Sequence, residues 1–194
     1  MIKKIKRTVR ISRYVIYKET LVNKEEHFWS FIGAFVGIGI ISFLQKNMLD
    51  HITNIFLIGS FGASSVLIYG AIESPMAQPR NLIGGHLVSA FIGVTVQMIF
   101  PETLWIAAPL AVASSIVCMQ LSKTMHPPGG ATALIAIIGT EKVKTLGYVY
   151  ILSPVLSGAV ILFITALIFN NITSKRKYPT HSRITNYLKN RINR

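Results

Sequence analysis

Residues 82–121 read LIGGHLVSAFIGVTVQMIFPETLWIAAPLAVASSIVCMQL and contain a single formal charge, Glu102. A helix needs about 20 mostly apolar residues to cross a bilayer. The stretch divides at Pro101-Glu102-Thr103 into two runs of about that length, Leu82–Phe100 and Leu104–Leu121. A connection of three residues holds two such helices side by side and antiparallel, so the centre of the chain reads as a transmembrane hairpin.

Similar runs lie on either side. Phe28–Leu44 and Ile52–Ile72 precede the hairpin, and Tyr148–Phe169, with Pro154 as a kink, follows it. His126–Thr140 is apolar between Gly129 and Gly139 but too short to cross as a regular helix, so it is either a short or broken span or a re-entrant loop. The charges favour the span. Residues 1–24 carry eight Lys/Arg against one acid, and residues 171–194 carry seven against none. The 146 residues between hold five bases and six acids. Basic ends around a neutral core follow the positive-inside rule, which places both termini in the cytoplasm and makes the number of crossings even. The expectation is an all-α polytopic bundle of about six spans, with a short or broken fifth helix. A basic segment (1–27), which can lie amphipathically on the membrane or simply anchor it, precedes the membrane domain (28–170), and a basic tail (171–194) follows. Only 14% of residues are charged and the net charge is +13; the confinement of the bases to the ends points to a plasma-membrane protein rather than a nucleic-acid partner. Cys118 is the single cysteine and reads as a buried small side chain. No cleavable signal peptide is expected.

Small residues recur at helix-packing spacing in Gly33/Gly37, Gly85/Ser89/Gly93 and Ala107/Ala111/Ser115. Such stripes let helix backbones approach in lipid, and they would equally serve a homo-oligomer.

Two proline-containing polar stretches interrupt the apolar chain. The first is residues 73–81, with Pro75 and Pro79, followed by Gly84-Gly85-His86; the second is residues 123–130, with Pro127 and Pro128 before Gly129-Gly130. The two align loosely as an internal repeat, a frequent plan in transporters. Proline suits the first turn of a helix, so Pro127-Pro128 mark a helix start. The amides of Gly129, Gly130 and Ala131 are then expected to be free, a setting for a small anion at a recessed helix terminus. Thr132 could add a hydroxyl, and Ser64 and Ser65 two more. Arg80 can clamp an anion at the mouth beside Asn81, or anchor the face and pair with Glu73. His126 can donate to a ligand or relay a proton, or cap a turn. His86 reads as a packing histidine. Walker, HExxH and Gly-x-Ser-x-Gly motifs are absent from the sequence, and no enzyme activity, cofactor or metal is expected.

At His126-Pro127-Pro128-Gly129-Gly130-Ala131-Thr132-Ala133, and at Gly62–Ser65 and Ser74–Asn81 with Gly84-Gly85-His86, the sequence resembles the HPP family of integral membrane proteins. The resemblance covers residues 28–170 and leaves out the basic ends. It implies a membrane domain with a small inorganic anion as substrate, nitrite first, because plastid and cyanobacterial members are associated with nitrite transport. Some members carry soluble regulatory domains, which a short basic tail cannot supply. The leading expectation is a transporter or channel for a small monovalent anion. Its rivals are a non-transporting scaffold or sensor subunit and, behind that, an intramembrane metalloenzyme.

Overall fold

A computed structural model of the chain describes residues 24–48, 58–173 and 175–180. All regular structure among these is helical. Helix α1 (Lys24–Met48) begins with Glu25 and Glu26 in its first turn, where carboxylates suit the positive end of the helix dipole. Helix α2 (Gly59–Ser65) runs on through a π-helical turn, Val66–Gly70. A 3-10 turn, Pro75–Ala77, leads into α3 (Pro79–Ile99), and α4 (Leu104–Leu121) closes the hairpin. Then come α5 (Pro128–Ile138), the short α6 (Glu141–Thr145) and α7 (Ser157–Phe169). Helix α7 is entered through a π-helical segment, Ile151–Leu156, whose Ser153 leaves helical geometry (φ −139°, ψ 118°) just before Pro154.

Among the described residues, four segments are long and apolar enough to cross a membrane: Lys24–Gln45, Pro79–Ile99, Leu104–Leu121 and Ile151–Phe169. The first span is longer than the apolar run alone indicates, because a helix continues into polar residues wherever its backbone bonds stay closed. Of the expected second span, residues 52–57 lie outside the described residues, as does the expected surface segment before Lys24. Bulky apolar side chains point outward along the bundle, among them Phe31, Phe35, Phe43, Val66, Ile99, Trp105 and Leu121. In water such a surface would drive aggregation; in lipid it is the solvated face.

The interior is built on small residues, as the stripes predict. Tyr69 fills the space over Gly33 and Gly37 of α1 and reaches the Thr165 hydroxyl of α7. Gly85 lies against Thr124 and His126, and Gly93 against the backbone of Ala133. Ala107, Ala111 and Ser115 are fully buried on α4. Cys118 on the same helix is partly exposed.

These contacts fix how α5 runs. Its Gly129 meets Gly85 and Ser89, its Ala133 and Ala136 meet Gly93, and beyond its end Gly147 meets Met98 and Tyr148 bonds Thr95. Helix α5 therefore runs parallel to α3 and carries the chain toward the far face, which a re-entrant loop would not do. Gly85 and Ser89 lie six and ten residues into α3, so at 1.5 Å per residue α5 starts about 9–15 Å below the α3 terminus. A non-helical strap, residues 123–127, covers that distance, which is why the fifth helix is short. The parallel course also means that any repeat relating α3 and α5 is of the parallel, not the inverted, kind.

The two ends of the membrane domain meet at one face. Lys175 pairs with Glu25, and Arg176 donates to the Glu26 carbonyl. Tyr178 donates to the Ala77 carbonyl of the loop between α2 and α3. Arg176 and Tyr178, from the stretch that reads as a basic tail, are buried against the bundle.

Candidate functional site

Two loops converge at the face where α3 begins. Ser74 caps the 3-10 turn by accepting from the Met76 amide, Pro75 opens that turn, and Pro79 opens α3. Pro127 stands as the cap of α5 and Pro128 as its first residue. Arg80 donates to the Ser122 carbonyl (3.0 Å) and Asn81 to the Met125 carbonyl (2.7 Å). Both side chains thus stitch the strap to α3. Arg80 remains exposed, and its hydrogen-bond partner is that carbonyl rather than Glu73.

The expected free amides are corrected here. The Gly129 N–H donates to the His126 carbonyl (2.8 Å) and the Gly130 N–H to the Pro127 carbonyl (3.1 Å). The prolines bend the strap so tightly that its own carbonyls reach the first-turn amides that an isolated helix terminus would leave open. Gly129 instead earns its place by contact: a Cβ there would lie 2.7 Å from Ser89 Oγ and 3.0 Å from the Gly85 carbonyl. Gly130 is roomier, its nearest neighbour being Val112 at 3.9 Å.

Below this turn lies a chain of polar side chains, all fully buried. The His126 ring bonds the Met76 carbonyl through Nδ1 and Ser64 Oγ through Nε2, each at 2.8 Å. Ser64 Oγ also meets His86 Nε2 at 2.8 Å, and His86 Nδ1 meets Thr132 Oγ1 at 2.7 Å. The two imidazoles stand edge to face, with centroids 4.9 Å apart, and Phe61 packs edge-on against His86. Helices α2, α3 and α5 and the strap before α5 each supply one member. Tyr150 closes the far end by donating to the Thr132 carbonyl (3.2 Å).

Of the candidate residues, the fold brings together His126, Thr132 and Ser64, with Gly129 and Gly130 on the turn beside them. Ser65 is buried next to Ser64, and its hydroxyl, like that of Ser60, has no hydrogen-bond partner among the described residues. Arg80 and Asn81 lie above, on the strap. His86 is the member that sequence reasoning passed over, and the signal for it was available: a histidine follows one Gly-Gly pair just as another precedes the second. Among the described residues no group of three or more His, Cys, Asp or Glu could hold a metal ion. A separate cleft of about 490 Å³, lined by Glu26, residues 70–74 and Lys175, opens beside the loop at the same face.

The family model for the HPP transmembrane region matches residues 19–179. Two curated transmembrane proteins of Dictyostelium discoideum are similar to this chain. One is 46% identical over 158 residues, covering 80% of this chain and 50% of the relative. The other is 44% identical over 161 residues, covering 81% and 56%. The chain spans about half the length of these relatives, and no solved structure matches it. With the match running through every helix described above and through both proline-rich stretches, the chain belongs to the HPP family of transmembrane proteins.

Proposed function

We propose that this chain is a transporter or channel for a small monovalent anion, with nitrite the first substrate to test, and that it carries out no catalysis. The observation behind the reading is the buried chain of His126, Ser64, His86 and Thr132 inside a lipid-embedded bundle. Polar and ionisable groups at such a depth are costly, and they mark pathways far more often than packing. The hydroxyls of Ser60 and Ser65, buried on the same helix and without a partner among the described residues, add donors that an anion could take up. Nitrite comes from the family resemblance. A multiply charged anion would call for more positive charge than the five bases of the central 146 residues provide. By the positive-inside rule the face holding both ends of the membrane domain is the cytoplasmic one, and the plasma membrane is the proposed location.

A second reading, a non-transporting scaffold, has one observation in its favour. The Gly129 and Gly130 amides are spent within the turn, and each member of the buried chain already has a partner. Anion uptake by the purified chain in proteoliposomes separates the two, comparing nitrite, nitrate, formate, chloride and sulfate. Saturable uptake of a monovalent anion supports transport, and Arg80→Gln should slow it without loss of folded protein. Absence of flux of every anion through well-folded protein would leave the scaffold.

A further inference from the structure

Which atoms can donate fixes where each hydrogen of the buried chain sits. The Met76 carbonyl can only accept, so His126 Nδ1 carries a hydrogen. A neutral ring then has a bare Nε2, and Ser64 must donate its hydroxyl hydrogen to it. With that hydrogen committed, the Ser64 oxygen accepts from His86 Nε2–H. His86 Nδ1 is left bare, and Thr132 donates to it. The longer approach of the Thr132 hydroxyl to the Pro128 carbonyl, 3.4 Å, has no hydrogen left to use. Two neutral imidazoles therefore admit one arrangement, in which every bond points the same way from Thr132 to Met76.

We propose that this chain is a proton site, which takes up one proton at Thr132 and holds it on His126. A proton from hydronium, which leaves as water, binds the Thr132 oxygen as the hydroxyl's own hydrogen passes to His86 Nδ1. His86 releases its Nε2 hydrogen to Ser64, and Ser64 passes its own to His126 Nε2. Four new N–H or O–H bonds replace three within the chain, and the added charge ends on His126 as imidazolium. All the side-chain bonds survive with their sense reversed, while His126 Nδ1–H stays on the Met76 carbonyl.

The groups facing the chain set what the charged form needs. From α3 His126 faces the second imidazole, from α2 Phe61 presents its ring to His86, and Tyr150 sits on the Thr132 carbonyl. Among the described residues no carboxylate is hydrogen-bonded to any member. An imidazolium in that setting has no hydrogen-bonded carboxylate among the described residues to balance it, so the protonated chain favours a small monovalent anion beside it. Use of the proton as the coupling ion rests on the transport reading above; the proton site itself does not.

The test is nitrogen-15 NMR of histidine-labelled full chain in lipid nanodiscs, with His86→Gln and His126→Gln to assign the two rings. At neutral pH the rings should be opposite tautomers, hydrogen on Nδ1 of His126 and on Nε2 of His86. On acidification His86 should switch its hydrogen to Nδ1 at the same pH at which His126 becomes imidazolium. Ser64→Ala should abolish the switch and Ser64→Thr should keep it. Like tautomers at neutral pH would overturn the proposal. So would an unswitched His86 when His126 protonates in the wild-type chain, or two rings that stay neutral down to about pH 4, well below the ordinary imidazole pKa. Anion uptake by the same protein keeps the two readings apart. A tautomer switch without flux sinks the transport reading alone, and flux without the switch sinks the proton site alone.

Discussion

Replacement of Arg176 by methionine should destabilise the folded chain strongly, although a sequence reading places this residue in a solvated basic tail. Arg176 as a whole is 2% exposed. One of its nitrogens donates to the Glu26 carbonyl (2.9 Å) and Ser30 Oγ (3.1 Å), and the other to the Tyr69 carbonyl (2.7 Å) and Asn170 Oδ1 (2.8 Å). Methionine keeps much of the volume and none of the donors. The Tyr69 carbonyl would retain Ser30 Oγ as a donor, but Asn170 Oδ1 would lose its charged partner. An orphaned buried acceptor together with the lost charge-assisted bonds amounts to about 3 kcal/mol. For a chain of this size each kcal/mol lowers Tm by about 2–4 °C, so a fall of about 6–12 °C is expected. Thermal melts of protein purified in one detergent would measure it. Lys175→Met is the control: its pair with Glu25 is 57% and 65% exposed, and an exposed pair contributes under about 1 kcal/mol. Arg176→Lys should fall between, since one ammonium cannot serve both ends of a fork. Equal melting of Arg176→Met and Lys175→Met would refute the buried clasp.

The two glycines of the proline turn should respond oppositely. Gly129→Ala pushes a methyl into Ser89 and the Gly85 backbone and should cost about 1–3 kcal/mol by overpacking; Gly130→Ala has room and should be neutral or stabilise by up to about 1 kcal/mol, both read as melting shifts. Gly93→Ala, facing the Ala133 backbone, should follow Gly129→Ala, and its monodisperse yield after extraction is the check. Burial, and the Tyr69 phenol second, raise the Tyr178 phenol above its ordinary value. Its contribution is therefore complete below about pH 10 and lost as pH climbs toward the raised value. Melts at rising alkaline pH should show that loss in the wild-type chain, and Tyr178→Phe should show a smaller one.

How far the sequence could be read differs between the lipid-facing frame and the polar interior. Charge and run length define spans because a charged residue in hydrocarbon is costly wherever it falls. Leu104–Leu121 is a helix over the residues so expected, and the Pro101-Glu102-Thr103 turn and the break at Ser153-Pro154 stand where local backbone chemistry puts them. Proline likewise marks the α5 start at Pro128, since one residue's missing N–H settles it. The polar interior depends on partners far apart in sequence. Ser64 and His126 are 62 residues apart and His86 and Thr132 are 46 apart, and no spacing rule ties residues across different helices. The Gly129 and Gly130 amides are not free as first-turn amides of a helix alone would be, because the strap supplies its own acceptors.

Arg176 makes the same point from the charge side. Counting Lys and Arg near the ends of a membrane domain treats each as an anchor held in water by its charge. At the C-terminal end one of the seven is instead drawn inside, because α2 ends there in a π-helical turn whose Tyr69 carbonyl has no following helical amide to take it. A helix C-terminus offers partial negative charge and unpaired acceptors, which a guanidinium, with five donors and weak hydration, suits better than an ammonium. The neighbouring Lys175 accordingly stays at the surface on Glu25. The fold sorts the two by donor geometry, not by charge, and by holding Tyr69 and Asn170 the arginine fixes the end of α2. Along that helix Ser64 is five residues earlier, so the clasp at the face and the proton-bearing chain below it share one element.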